Sequence, residues 1–433
     1  VWIIAIPFIG KANNKIKSIK IMIFLVFLLK FSIISIFELI NFLNLSAGVW
    51  KVPHLFPGQF DFDFMYDYLG NYLQGSLPTQ YGLEIYYPPG VPIIYLFIIG
   101  KNPMQSSFFY HIEMLIYEAL IYYMIYKIAN LKKINIKRPV WKRGIIYAFF
   151  GASFISVTDL FGKYDTLVIL LSMIGIYLYF KPGKELYSTI FLTFCALIKL
   201  YTALWIAGII LLKIKQKKLL FAFKYLFVSL LTGFAILSFA FFFEGLKFFE
   251  ILLSFKFQIH DVYVTYTLNI WFFLQYLPVP FINLLPYALL IFSFLYFITK
   301  WKGDINLSFF IRITAITLLF FPAINSLYIQ WIFPLMCIDM LGSFKKMKIL
   351  AILEIMAMHA EQSFNFYAVY SGIGLPVFLD LNIFPNPLIF WWRVANLGFF
   401  FALLLILIFP EKFKRFFPPI PLDEIRVKSV ELS

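Results

Sequence analysis

Between Leu186 and Leu212 the chain reads LYSTIFLTFCALIKLYTALWIAGIILL, an apolar run broken by one charge, Lys199. If the run formed a single span, the lysines that follow it, Lys213, Lys215, Lys217 and Lys218, would be carried to the far side of a membrane. Two short half-depth helices that meet near Lys199 keep those lysines on the side where the run began. Irregular backbone at membrane depth is tolerated only where it lines a cavity. The break therefore predicts two helices, about 186–198 and 200–212, with Lys199 lifted toward the opposite face as a cavity residue.

The rest of the chain agrees with a membrane setting. Its 433 residues are 62% hydrophobic and 14% charged, where soluble domains average roughly 45–50% apolar and about 25% charged. Apolar stretches long enough for a hydrocarbon core of roughly 30 Å recur along its length. The ten-residue alternation of a membrane β-barrel is absent. The spans predicted are about 21–43, 105–128, 144–158, 166–180, 186–198, 200–212, 219–243, 281–299, 307–322, 331–343, 349–370 and 393–410. The expected fold class is thus an all-α polytopic membrane protein with about 11–13 transmembrane helices.

Charge sets the expected orientation. With the N-terminus inside, basic groups fall inside at 11–20, 132–143, 181–184, 213–218, 300–302, 345–348 and in the tail from Lys412. Outer loops keep only Lys51, Lys101, Lys163, Lys247 and Lys256. This is the asymmetry of the positive-inside rule, and it accounts for the net charge of +15 without a nucleic-acid partner. The apolar stretch Pro89–Gly100 is too short to span, and as a span it would invert the 132–143 loop. It is expected to dip into the outer leaflet. Cys195 and Cys337 lie inside apolar stretches and read as small core residues.

The chain divides accordingly into a basic cytoplasmic leader at 1–20, which runs into the first span as a signal anchor, a membrane core at 21–343, further spans at 344–410 and a cytoplasmic tail at 411–433. The notable acidic and polar aromatic groups all gather outside. Asp61, Asp63 and Asp67 stand in Phe60-Asp61-Phe62-Asp63-Phe64-Met65-Tyr66-Asp67, with Glu84 following. On an extended segment Asp61 and Asp63 point the same way; on a helix they diverge. A carboxylate there can serve as a base toward a hydroxyl, or two can share a divalent ion, while Asp67 reads as a solvated loop residue. Asp159 and Asp165 flank Gly162 in a tight outer turn, where Asp165 either acts in a site or caps the helix that starts at Thr166. Lys199 either binds an anion or snorkels to headgroups. Arg312, nearer the inside, is expected to have a structural partner.

Four segments, in this order, resemble the GT-C superfamily of integral-membrane glycosyltransferases, in particular its polyprenol-phosphate-mannose-dependent mannosyltransferases. They are Asp63-Phe64-Met65-Tyr66 with Gly75-Ser76-Leu77-Pro78 and Tyr86-Tyr87-Pro88-Pro89-Gly90; Gly162-Lys163-Tyr164-Asp165 followed by a span; Leu197-Ile198-Lys199; and Tyr266-Thr267-Leu268-Asn269-Ile270-Trp271 with Tyr328-Ile329-Gln330-Trp331-Ile332-Phe333-Pro334. The family shows Gly-Gln-Phe-Asp where this chain has Gly-Lys-Tyr-Asp, and either Asp61 or Asp63 could occupy its first-loop carboxylate position.

The resemblance implies a GT-C-like bundle whose first outer loop carries short juxtamembrane helices. It implies inverting transfer of a hexose, mannose foremost, from a polyprenyl- or dolichyl-phosphate donor to a lipid-linked or membrane-associated acceptor. In that reading Asp63 or Asp61 is the base, Asp165 the second carboxylate and Lys199 the group that binds the donor phosphate. Asp159, Tyr66, Tyr87, Asn269, Trp271, Tyr328 and Gln330 would contact substrate. A divalent metal, Mg or Mn, is optional. Membrane lipids are the other expected partners. The expected location is the plasma membrane of a prokaryote, archaea included, with the active site outside. The competing readings are a lipid or lipid-linked-sugar flippase, and a glycan ligase or polymerase.

Overall fold

The structure is a computed structural model that describes residues 103–131, 165–199, 201–244, 285–321, 331–339 and 401–409, two short strands at 79–80 and 83–84, and a few single residues. The helices are α1 (Pro103–Ala129), α2 (Asp165–Phe180), α3 (Tyr187–Ile198), α4 (Tyr201–Lys215), α5 (Leu219–Glu244), α6 (Leu285–Lys300), α7 (Leu307–Phe320) and α8 (Phe333–Asp339). Residues 401–408 are also helical and bury Leu403, Leu404 and Leu407. Strands β1 (Thr79–Gln80) and β2 (Leu83–Glu84) pair antiparallel, with Thr79 opposite Glu84. The first outer loop was expected to carry short juxtamembrane helices; its described part is this small ladder, and Pro89–Gly100 lies outside the described residues. The spans expected at 144–158 and 349–370, and most of 21–43, lie outside the described residues.

The break at Lys199 is present. Lys199 closes α3 in extended backbone (φ −142°, ψ 119°), while its N–H still donates to the Cys195 carbonyl at 2.7 Å. The chain then reverses into α4, and the Thr202 hydroxyl donates back to the Leu192 carbonyl at 3.1 Å. A lysine at the apex of two antiparallel apolar limbs keeps its ammonium out of the packed faces, so charge and chain reversal coincide.

Side-chain contacts give the other directions. Ser188 shares a hydrogen bond with Tyr225, and Thr193 with Ser229, so α3 and α5 run parallel. Cys195 donates to the Val168 carbonyl, and Gly175 faces Leu192, so α2 and α3 are antiparallel. On α4, Trp205 donates to Thr314 at 2.8 Å and Gly208 faces Phe309 and Ile313, which sets α4 antiparallel to α7. Both glycines permit close helix approach: a Cβ at Gly175 would lie 2.7 Å from Leu192 Cδ2, and one at Gly208 would lie 2.8 Å from Ile313 Cδ1.

These directions bring the basic helix ends together. Lys181, Lys184, Lys217 and Lys218 flank helices that meet at one end of the bundle, and Lys213 stands in the last turn of α4 there. Lys215 reaches across from α4 and donates to the carbonyls of Ile298, Thr299 and Trp301 at 3.1, 2.7 and 2.8 Å. It thereby covers the carbonyl groups that α6 leaves open and sits favourably at the negative end of that helix. Asn306 caps α7 at the same end by accepting from the Phe309 N–H at 3.1 Å. Arg312 lies over the Trp301 ring, 5.5 Å from its centre.

Among the described residues, one helix is long and apolar enough to cross a membrane: α5, over Leu219–Ser238. Only 11% of its apolar window is buried inside the protein. Leu219, Leu220, Phe223, Phe227, Leu230, Leu231 and Phe234 are each 57–70% exposed. A contiguous outward face of this size built from Leu and Phe marks a surface for a membrane or a partner rather than for water. The other apolar helices are shorter, between 12 and 16 residues for α2, α3, α6 and α7. The described residues therefore form a helical bundle with one helix of spanning length and hydropathy.

Candidate functional site

Opposite the lysine-rich end, the N-terminus of α2, the apex of the α3–α4 hairpin and the start of α8 converge. Each supplies one polar group. Asp165 is the first residue of α2, where the unpaired backbone amides of the helix favour a carboxylate. Lys199 is the apex residue. Trp331 stands two residues before α8.

Asp165 Oδ1 lies 3.6 Å from Lys199 Nζ and accepts a 2.8 Å hydrogen bond from Trp331 Nε1. The Lys199 ammonium also stands over the Trp331 ring, 5.9 Å from its centre, an arrangement that attracts a cation to the ring face. Tyr201, two residues past the apex, stacks on the same ring at 4.4 Å and 14°. Trp331 therefore serves both charges at once, its N–H toward the carboxylate and its face toward the ammonium.

The two charges are not equally accessible. The Asp165 side chain is 2% exposed and the Lys199 side chain 17%. The carboxylate is enclosed, while the ammonium keeps a route to the outside. The arrangement is a partly exposed cation with a buried counter-ion and an aromatic platform.

The site is also recessed. The twelve residues of α3 and fifteen of α4 rise about 18 and 22 Å from the lysine-rich end at 1.5 Å per residue. The 27 residues of α1 and 26 of α5 extend to about 40 Å. Lys199 thus lies well short of the far ends of the two longest helices. From Trp331 a file of touching rings runs back through Tyr201, Trp205 and Phe310 to Tyr179 and Phe180. It fixes the apex against the lysine-rich end.

Of the residues expected from sequence to form a site, Asp165 and Lys199 are thus brought into contact. Asp165 was expected at an outer surface; it is enclosed by Lys199 and Trp331. Asp61, Asp63, Tyr66, Tyr87, Asp159, Asn269, Trp271, Tyr328 and Gln330 lie outside the described residues. Trp331 and Tyr201 were not singled out as site residues. Trp331 adjoins Gln330, which was, but its 166-residue separation from Asp165 leaves no local signal of their contact.

Glu118 is a further polar group that was passed over. It is 1% exposed on α1 and accepts a hydrogen bond from Tyr122 at 3.1 Å. An acid within an apolar helix was the signal that could have marked it. Among the described residues, no group of three or more His, Cys, Asp or Glu could hold a metal ion. Neither a protein-family model nor a curated protein sequence matches the chain.

Proposed function

We propose that the chain is a polytopic membrane glycosyltransferase of GT-C type. It would move a hexose, mannose foremost, from a polyprenyl-phosphate carrier to a lipid-linked or membrane-associated acceptor. The observation that carries this reading is the Asp165–Lys199–Trp331 cluster at the apex of a recessed hairpin. A water-soluble anion would be met more readily by the open lysines at the other end. A cation held part-way along an apolar bundle suits a phosphate that arrives attached to a long hydrocarbon chain.

In the proposed reaction the acceptor hydroxyl oxygen bonds to the anomeric carbon, and its proton passes to Asp63 or Asp61. The bond from that carbon to the phosphate oxygen breaks, and its electron pair leaves with the polyprenyl phosphate. Lys199 stabilises the negative charge that grows on this leaving group. Asp165 holds Lys199 in place and is assigned here as a positioning residue. Phe and Tyr side chains would line the path of the lipid.

The test is sugar transfer by the purified protein from radiolabelled polyprenyl-phosphate mannose or glucose to a membrane lipid extract, with and without EDTA. Transfer that is lost in Lys199→Met and in one of Asp63→Asn and Asp61→Asn supports the reading and identifies the base. Thermal protection by the donor without movement of label would overturn it in favour of a flippase.

A further inference from the structure

The lysine-rich end has a composition that neither sugar transfer nor helix capping uses. Its described charged groups outside Lys215 are Lys127, Lys181, Lys184, Lys213, Lys217, Lys218, Lys224, Lys300, Lys302 and Arg312, the last set on Trp301, against Glu185 and Asp304. Lys181, Lys184, Lys217, Lys218, Lys224, Lys300 and Lys302 are exposed. Four of the lysines lie over a tyrosine ring: Lys127 over Tyr123, Lys181 over Tyr177, Lys184 over Tyr187 and Lys300 over Tyr296, at 5.2, 5.6, 4.8 and 5.8 Å. A fifth, Lys213, lies over Phe221 at 5.5 Å. These pairs come from α1, the α2–α3 turn, α4 and α6, so they encircle the end rather than mark one helix.

Just beyond this ring begin the exposed apolar faces. Leu219, Leu220 and Phe223 on α5, Phe292 and Ile291 on α6, Ile190 on α3 and Leu120 on α1 are all exposed. Lysines resting on tyrosines at the border of an apolar wall match the headgroup layer of a bilayer. There the ring sits at the interface and the ammonium extends to the phosphates.

We infer that this lysine–aromatic belt is a binding surface for anionic lipid headgroups, such as phosphatidylglycerol. The inference rests on the membrane setting of the proposed function and is independent of its chemistry. An acidic protein or a nucleic acid would need a charged face free of adjoining hydrocarbon. Here the helices that carry or adjoin the lysines, α1, α3, α5 and α6, also expose Leu, Ile or Phe. Lys215 is excluded from the surface because its ammonium is committed to the α6 carbonyls.

The test is thermal unfolding of the whole chain in nanodiscs of phosphatidylcholine, with and without phosphatidylglycerol, at low and high salt. The anionic lipid is expected to raise the unfolding temperature at low salt, and high salt should erase the gain. Each lysine near the surface contributes about a fivefold preference for anionic lipid. Replacing Lys181, Lys184, Lys218 and Lys224 by Gln together should therefore cut the preference by on the order of a hundredfold or more. Lys215→Gln should lower the unfolding temperature equally in both lipids. Insertion into discs with the same stability in both lipids, or a gain that the fourfold variant keeps, would overturn the belt alone. Failure to enter discs of either composition would overturn the membrane reading, and the belt with it.

Discussion

Neutralising Asp165 without changing its shape isolates the central interaction of the site. In Asp165→Asn the side-chain oxygen can still accept from Trp331, but Lys199 loses its counter-ion. Two unit charges 3.6 Å apart attract by about 5 kcal/mol at an effective dielectric of about 20. Part of this is offset by the cost of desolvating both groups, and the 17% exposure of Lys199 lets water recover a further part. The expected loss of stability is about 3 kcal/mol. Lys199→Met should cost less, about 1.5 kcal/mol, because Asp165 keeps the Trp331 N–H and the amides at the start of α2. The double variant removes both charges and should return to within about 1 kcal/mol of the parent. The coupling energy of the cycle is then about 3.5–4.5 kcal/mol. Reversible unfolding in mixed detergent micelles, followed by tryptophan fluorescence, measures all four proteins. Additive losses, with coupling under about 0.5 kcal/mol, would refute the pairing. A stable double variant also separates folding from chemistry, since it should be well folded and unable to transfer sugar.

Gly175→Ala places its methyl against the branch carbon of Leu192, 2.8 Å away; overpacking outweighs the gain in helix propensity, and a net loss of about 1 kcal/mol is expected in the same unfolding assay. Gly208→Ala meets only the tips of Ile313 and Phe309 and should cost less than Gly175→Ala. Trp331→Phe keeps the stack on Tyr201 but deletes the donor to Asp165, for a loss of about 1.5–3 kcal/mol together with weaker donor binding. Phe234→Asp, on the outward face of α5 where Phe234 is 70% exposed, should impair membrane insertion by about 2.5–3.5 kcal/mol in a translocation assay; an unchanged insertion efficiency would argue against lipid on that face.

The hairpin at Lys199 was legible in the sequence because one charge in a long apolar run has few places to go. The lysines that follow removed the option of a straight span. The gathering of basic helix ends was legible for the same reason. Burial of Asp165 was not, since an acid that opens a helix after a glycine turn looks the same whether it faces water or a lysine. Trp331 was beyond reach of local reasoning altogether, because its contact with Asp165 depends on how α8 returns to α2. Glu118 was readable and overlooked: its helix was treated as a plain span, although a carboxylate in such a setting asks for a partner, which Tyr122 supplies.

The order of the site residues along the chain also bears on how the protein is made. Asp165 leaves the ribosome 34 residues ahead of Lys199, and both limbs of the α3–α4 hairpin have their open ends at the lysine-rich side. A hairpin of this kind can enter a bilayer apex first, with neither flank translocated. Its leading charge would then advance toward a carboxylate already in position on α2. Trp331 is synthesised more than a hundred residues later, so the two charges are both available before their aromatic clasp. Nascent chains arrested between these two points should already contain the pair, and Asp165→Asn should reveal itself there as slowed insertion of the hairpin.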